Sequence, residues 1–222
     1  MNSLALLLFV TMSALSALRP LVTPVSSVPA ANPAKALDFF NVLGKLKMLK
    51  RTGWVNHEIA QPESVADHMY RMSMLSFLIT DPAVQRDELV KICLLHDLAE
   101  AEVGDIIPGA ISRAEKRVLE ETALRTMLAD IGHAGVAEEM LGLWMQYEEG
   151  DSPTAQCARQ LDKFEMVVQA DEYEKVTGRV LEPFFASTAG FFSHPEICAW
   201  DAALRARRTA RLASADLAAG NA

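Results

Sequence analysis

The sequence predicts an all-α fold, and three observations carry that reading. From Lys35 onward apolar residues recur at helical spacing, as in Leu37, Phe40, Leu43, Leu46 and Leu49, the period that lines one face of an α-helix. No run alternates convincingly with the period of two that a half-buried strand needs. Capping residues, glycines and prolines fall at the ends of the apolar runs, where helices begin and stop.

Taken in order, the first helix starts at about residue 35 and is broken by Arg51-Thr52-Gly53-Trp54, after which an irregular segment runs to Pro62. A second begins near Ser64, whose hydroxyl can cap it while Asp67 favours the same positive helix end. It continues through His68 to about Thr80, where Asp81-Pro82 ends it. The third spans about 87–101 and is stopped by Gly104; residues 106–110, with Pro108-Gly109, form a loop. Ser112 opens the fourth in a capping box with Glu115, and Val118, Leu119, Leu124 and Leu128 mark its apolar positions. A fifth covers about 135–147, before Gly150-Asp151-Ser152-Pro153. The sixth, about 155–175, turns Leu161, Phe164, Val167 and Val168 inward. A loop-rich stretch over 178–194 leads to a last helix from Pro195, and the Ala-rich residues 213–222 read as a flexible tail.

At 222 residues the chain suits one domain with tails, here residues 36–212. A formal net charge of −8 disfavours a surface that tracks nucleic-acid phosphates, so the expected partner is a small molecule and not a nucleic acid. Cys93, Cys157 and Cys198 suit neither a disulfide framework nor a zinc ribbon, and read as reduced thiols of an intracellular protein. Residues 4–18 form a mostly apolar run, too short for a stable membrane span. No Lys or Arg precedes it, and no Asp or Glu occurs before Asp38. Residues 1–35 are therefore expected to be an organellar leader or a disordered extension, and the location cytoplasmic or organellar accordingly.

The chemistry concentrates in Leu94-Leu95-His96-Asp97-Leu98-Ala99-Glu100 and Val103-Gly104-Asp105. An adjacent His-Asp pair in an apolar helical run puts charge where a core belongs, a cost that a divalent metal would offset. Neighbours on a helix diverge by about 100°, so His96 and Asp97 can flank a cation over the groove between them. Glu100 lies one turn on from His96, and the freedom of Gly104 lets the chain swing Asp105 back toward the helix end. His68 sits among the apolar positions Val65, Met69, Met72 and Leu75, and Asp162 interrupts the inward stripe of the sixth helix; both can complete the shell. Such mixed nitrogen and oxygen ligation suits Mn, Co, Zn or Fe, with Mg also a candidate. Each residue alone has an alternative: His68 as a hydrogen-bonded core histidine, Asp162 as a partner of Lys163 or Arg159, Glu100 as a solvated helix-end charge. The combination favours the metal.

In order and on separate helices, His68, His96-Asp97 and Asp162 resemble the H…HD…D signature of the HD-domain phosphohydrolases. The likeness extends to Arg51-Thr52-Gly53-Trp54, the run from Pro62 to Met72, His96-Asp97-Leu98-Ala99-Glu100, Val103-Gly104-Asp105-Ile106, Gln160-Leu161-Asp162, and Ser187-Thr188-Ala189-Gly190 with His194-Pro195-Glu196-Ile197. These segments look like the HD domain-containing protein 2 family, 5'-deoxynucleotidases related to the bacterial YfbR type, over about residues 36–200. The resemblance implies an HD-domain helical bundle, working as a homodimer, that hydrolyses deoxyribonucleoside 5'-monophosphates to deoxynucleoside and phosphate with a divalent metal. By position it makes His68, His96, Asp97 and Asp162 metal ligands. Glu100 and Asp105 become catalytic residues or, with the Ile106 backbone, contacts to a second cation.

Two carboxylates and two neutral imidazoles balance one divalent ion, but Glu100 and Asp105 add negative charge beside an incoming phosphate. Arg51 is the candidate for that phosphate through its bidentate donors, and Trp54 for packing on the base or sugar; the alternatives are a surface charge and a core anchor. A second cation at Glu100 and Asp105 would also restore the balance. The expected chemistry has metal-activated water oriented by Glu100 and a proton given to the leaving 5'-oxygen by Asp105, roles the sequence leaves interchangeable. Competing functions are an HD phosphodiesterase or nucleoside triphosphohydrolase, and a scaffold whose metal is only structural. His57, His133 and His194 have no partner at ligand spacing, and are expected at solvent, at a helix end and in a structural role respectively.

Overall fold

The helix signals are answered by ten α-helices and no strand among the residues that the structure, a computed structural model, describes: 33–129 and 131–220. In chain order these are α1 (Pro33–Leu46), α2 (Thr52–Asn56), α3 (Val65–Ser76), α4 (Arg86–Leu95), α5 (Glu100–Val103), α6 (Arg113–Ala129), α7 (Ala134–Glu149), α8 (Pro153–Thr177), α9 (Glu182–Ser187) and α10 (Pro195–Gly220). Local caps set the starts. Ser64 Oγ accepts the Asp67 N–H at 3.1 Å while Asp67 Oδ2 accepts the Ser64 N–H at 2.8 Å, a capping box that aims α3 just before His68. Ser112 and Glu115 close a second box ahead of α6, with bonds of 3.0 and 3.2 Å. Ser152 Oγ takes the Ala155 N–H at 3.0 Å, with Pro153 in the first turn of α8.

Helix α8 is the spine of the bundle. Its Leu161 and Phe164 pack with Met72 of α3 and with Leu89, Ile92 and Cys93 of α4, while Val167 and Ala170 pack with Trp54 of α2 and Phe185 of α9. A third cluster joins Leu46 of α1, Val65 and Met69 of α3, Leu124 and Leu128 of α6, and Trp144 of α7. Each wholly buried Leu, Ile or Met contributes about 1.5–3 kcal/mol of transfer free energy. That packing fixes α3, α4 and α8 where their polar residues meet.

Several expectations change. The first helix ends at Leu46, and Leu37 and Phe40 at its start are 59% and 58% exposed, so only the later part of the stripe is core. Val118 and Leu119 are likewise exposed on α6. The segment read as irregular after Arg51 contains α2, whose first turn closes when the Trp54 and Val55 N–H groups donate to the Arg51 carbonyl. The helix expected over 87–101 divides at residues 96–99. There Leu98 N–H bonds Leu95, Glu100 bonds Asp97 and Ala101 bonds Leu98, an i to i−3 pattern tighter than the α-helix. The His96 Nδ1–H takes the Cys93 carbonyl, which a continuous helix would offer to Asp97 N–H. Finally, α10 continues to Gly220 through residues expected to be a flexible tail, because alanine, which suggested fraying, is also the strongest helix former. Most of the expected leader, residues 1–32, lies outside the described residues. No helix among the described residues is long and apolar enough to cross a membrane.

Candidate metal centre

His68 is completely buried on α3. Its Nδ1 is hydrogen-bonded to Glu165 Oε2 of α8, which turns Nε2 toward Asp162 Oδ1 at 3.3 Å and Asp97 Oδ2 at 3.8 Å. His96 is arranged the same way on a backbone acceptor: Nδ1–H donates to the Cys93 carbonyl at 3.0 Å and Nε2 lies 3.1 Å from Asp97 Oδ2. With a carboxylate or a carbonyl as acceptor at Nδ1, the neutral form of each ring that keeps its proton there offers the Nε2 lone pair to a cation. Both Nε2 atoms are buried without a hydrogen-bond partner. Ligand atoms of His68, His96 and Asp162 lie within 4.8 Å of one another, and Asp97 Oδ2 adjoins both imidazoles. The structure therefore gathers all four of the expected ligands, from α3, the 96–99 turn and α8. Orphaned imidazole nitrogens beside two carboxylates fit a divalent cation of the borderline class.

The surroundings hold each group in place. Glu165, fully buried, accepts from Arg71 Nε at 2.7 Å on its other oxygen. Burial would raise its pKa, but His68 and Arg71 hold it below the usual glutamate range. Asp162 Oδ2 takes the Tyr147 hydroxyl at 3.1 Å and pairs with Lys163 Nζ at 3.0 Å, while Oδ1 faces His68. The pairing with Lys163 that the sequence offered is thus present on one oxygen, and the other oxygen faces the imidazole. Arg159, the other partner considered, donates instead to the Tyr147 and Glu148 carbonyls.

Burial works against the charge on Asp97 and Asp162. His96, Arg51 and His68 nevertheless hold Asp97 well below the usual carboxylate range, and Lys163 with the two imidazoles does the same for Asp162. Burial and Arg51 oppose a proton on His68, but Glu165 and Asp162 outweigh them and raise it to about 9 in the metal-free chain. Glu100 is pushed well above its ordinary value by burial, then by Asp97 and Asp105.

The remaining candidates sit differently. Glu100 on α5 is 2% exposed, with Oε2 unpartnered and Oε1 4.0 Å from Lys116 Nζ. Gly104 has φ +80° and ψ 166°, a combination open almost only to glycine, and it makes the sharp turn expected before Asp105. Asp105 Oδ2 accepts the Thr52 N–H at 2.6 Å and its carbonyl accepts the Thr52 hydroxyl at 2.8 Å. Ile106 follows, half-buried, in the irregular segment 104–107. Among the described residues, Glu100 and Asp105 do not join the close group of ligand atoms. Arg51 reaches the centre rather than solvent: Nη1 donates to Asp97 Oδ2 at 3.1 Å and Nη2 is 4.0 Å from Asp162 Oδ1.

Trp54 must be corrected. It is 2% exposed, its indole N–H donates to Glu63 Oε1 at 2.8 Å, and its ring lies 4.2 Å from that of Phe184 and 5.2 Å from that of Tyr173. A ring enclosed in this way is a core anchor and cannot pack on a base or sugar. His57 is half-buried against Phe184, not at solvent; His133 precedes α7 as its N-cap residue, and buried His194 faces Asp81 at 3.4 Å. The sequence reading missed Glu165, Tyr147, Thr52 and Lys116. Glu165 alone carried a signal, since it follows Asp162 by three residues on the inward face of one helix.

A helical bundle that gathers histidines and aspartates in this order around a buried centre defines the HD-domain class, and the chain belongs to it: the HD domain family matches residues 43–195. Within the class its relatives are 5'-deoxynucleotidases. The 5'-deoxynucleotidase HDDC2 of Danio rerio is 42% identical over 181 residues, covering 80% of this chain and 90% of the relative. That of Homo sapiens is 41% identical over 183 residues, covering 81% and 89%. Among solved structures, the HD domain-containing protein YGK1 superposes with a TM-score of 0.63 at 26% identity, over 83% of this chain and 90% of that one.

Proposed function

We propose that this chain is a divalent-metal-dependent 5'-deoxynucleotidase, a phosphoric monoester hydrolase that splits deoxyribonucleoside 5'-monophosphates into deoxynucleoside and inorganic phosphate. One observation carries the reading: the buried, unpartnered Nε2 atoms of His68 and His96 face Asp97 and Asp162, in a chain whose relatives bear that activity in their names. His68, His96, Asp97 and Asp162 would hold the cation, of the Mn, Co, Zn, Mg or Fe type. When bound, such an ion supplies an acidified water and a Lewis acid for a phosphoryl oxygen.

Glu100, with one carboxyl oxygen unpartnered and its proton held by burial and by Asp97 and Asp105, and Asp105, whose carboxylate accepts the Thr52 N–H, share two interchangeable roles: one orients the attacking water and the other, in its protonated form, gives a proton to the departing 5'-oxygen. In the variant with two cations, Glu100, Asp105 and the Ile106 carbonyl would hold the second. Arg51 contributes positive charge and further guanidinium donors for a phosphate oxygen beyond the one bonded to Asp97. We extend the reading to a homodimer acting inside the cell. The exposed Tyr70, Met74, Phe77 and Leu78 on and after α3 supply an apolar face for a second copy, and the free thiols of Cys93, Cys157 and Cys198 suit a reducing compartment.

Metal analysis together with phosphate release from dAMP, AMP and a phosphodiester, all on the full chain, tests the reading. Release from dAMP but from neither of the others is expected. Cleavage of the diester instead would make the protein a phosphodiesterase, and bound metal without turnover would make it a scaffold.

A further inference from the structure

Three cations face the carboxylates of the centre, and they are held in different ways. Arg51 Nη1 is bonded to Asp97, and Lys163 Nζ lies 3.0 Å from Asp162, so both are committed to proposed metal ligands. Lys116 of α6 is not. Its Nζ is 3.2 Å from Glu120 Oε1 and 4.0 Å from Glu100 Oε1, and it also feels Asp97. A third of its side chain, 33%, reaches solvent, whereas the side chains of Glu120 and Glu100 are 6% and 2% exposed.

The Lys116–Glu120 pair does little for the helix that carries it. At (i, i+4) spacing a Lys ahead of a Glu is the weaker order, and even the better order contributes only about 0.2–0.5 kcal/mol. Glu120 is buried deeply enough that its carboxyl is pushed up to about 7 in spite of Lys116. What the pair does achieve is to keep a partly exposed ammonium beside Glu100, near Asp97, Asp105 and Asp162. A phosphomonoester entering that site brings further negative charge. Lysine is a point charge on a flexible stem, so Lys116 can leave Glu120 for a phosphate oxygen without giving up a contact to His68, His96, Asp97 or Asp162.

We propose that Lys116 is a substrate-binding residue that contacts the phosphate of the incoming deoxynucleotide, and that Glu120 holds it beside the centre until that phosphate arrives. The inference rests on the reading of the site as a phosphomonoesterase centre and adds a residue to it.

The probes are inorganic phosphate, by calorimetry, and dAMP, by steady-state kinetics, with the metal-loaded full chain. Lys116→Met is expected to weaken phosphate binding and raise KM for dAMP, each by roughly tenfold or more, the factor a charge-assisted hydrogen bond carries. Metal content should stay at the wild-type level. Lys116→Arg, which keeps the charge, should recover most of both losses, and Glu120→Gln, which removes the competing partner, should tighten phosphate binding. Because Lys116→Met strands Glu120, the double variant with Glu120→Gln controls for folding and should show the same loss. Phosphate affinity within about twofold of wild type in both the single and the double variant overturns the proposal, whatever the turnover. A wild-type protein that binds phosphate through Lys116 yet releases none from dAMP would overturn the deoxynucleotidase reading and leave this inference standing.

Discussion

Glu165 has no exposed surface and two tasks for its carboxylate, His68 on one oxygen and Arg71 on the other. Fixing the Nδ1 side of an imidazole orients the opposite nitrogen, and losing such a brace lowers metal affinity by about 10–100-fold. We expect Glu165→Gln to show a loss of that size in the metal dissociation constant measured by calorimetry; an unaltered constant would mean that His68 needs no brace. The catalytic and binding roles separate in a second comparison. Asp97→Ala should lose both bound metal and phosphate release, whereas Glu100→Ala should lose phosphate release and keep most of its metal, as read by metal analysis on the purified variants. At this scale the sequence was legible wherever a residue type conflicted with its neighbours. His68 and Asp162 stood out because each interrupts an apolar stripe, and the structure brings them to the same point. Trp54 gave no such signal, since an aromatic ring beside a candidate site looks alike whether it lines a pocket or fills a core. Thr52 was silent for another reason: the group that fixes the Asp105 carboxylate is its backbone N–H, which every residue but proline has.

The interruption of the helix at residues 96–99 is the element on which the site turns. It cannot be found from hydrophobic spacing, because Leu94, Leu95, Leu98 and Ala99 continue the helical pattern across it. At the break the His96 ring bonds the Cys93 carbonyl that the Asp97 N–H would otherwise take, an exchange that spacing does not encode. Caps were easier to read, as at Ser64 and Ser112, because a capping box is a local exchange of two bonds and needs no tertiary partner. Beyond the break, Gly104→Ala is expected to destabilise the protein by about 1–3 kcal/mol. An added Cβ meets nothing within 4 Å, so the cost is one of backbone conformation alone, and denaturant unfolding measures it. Helix α6 offers a pH test. Glu120 titrates at about 7 in the folded protein against an ordinary value of 4.5, chiefly through burial. The folded state therefore binds more protons than the unfolded state between those values. Stability from this group is complete below pH 4.5 and falls as pH rises to about 7. Thermal unfolding should accordingly show Glu120→Gln gaining on wild type as pH rises from 5 to 7, with no further gain above.

For the molecule as a whole, the three clusters of apolar residues hold the bundle together without reference to the centre, but the centre leaves two imidazole nitrogens and a Glu100 oxygen buried and unpartnered. An ion that binds only the folded chain relieves that strain in proportion to its occupancy. Chelation should thus lower Tm without abolishing cooperative unfolding, and re-addition of the ion should restore it, as calorimetry would show. Among the described residues the order of the seven longer helices was legible because they share one period, whereas α2, α5 and α9, of four to six residues, are too short to show it; the mutual angles were not legible either, since packing around α8 depends on side-chain volumes that no spacing rule encodes. One further feature bears on the whole chain. The stretch from Arg51 to Glu63 leaves and returns through a narrow neck, where Arg51 N–H meets the Glu63 carbonyl at 3.2 Å, Val65 N–H meets the Leu49 carbonyl at 2.9 Å, and Lys50 bridges Ser64. Its outer residues, Asn56, Glu58, Ala60 and Gln61, are exposed. A loop knotted at its base tolerates scissors at its tip: a protease cutting there would leave two fragments that still travel as one particle, with Arg51 on the first and His68 on the second held in register by the neck.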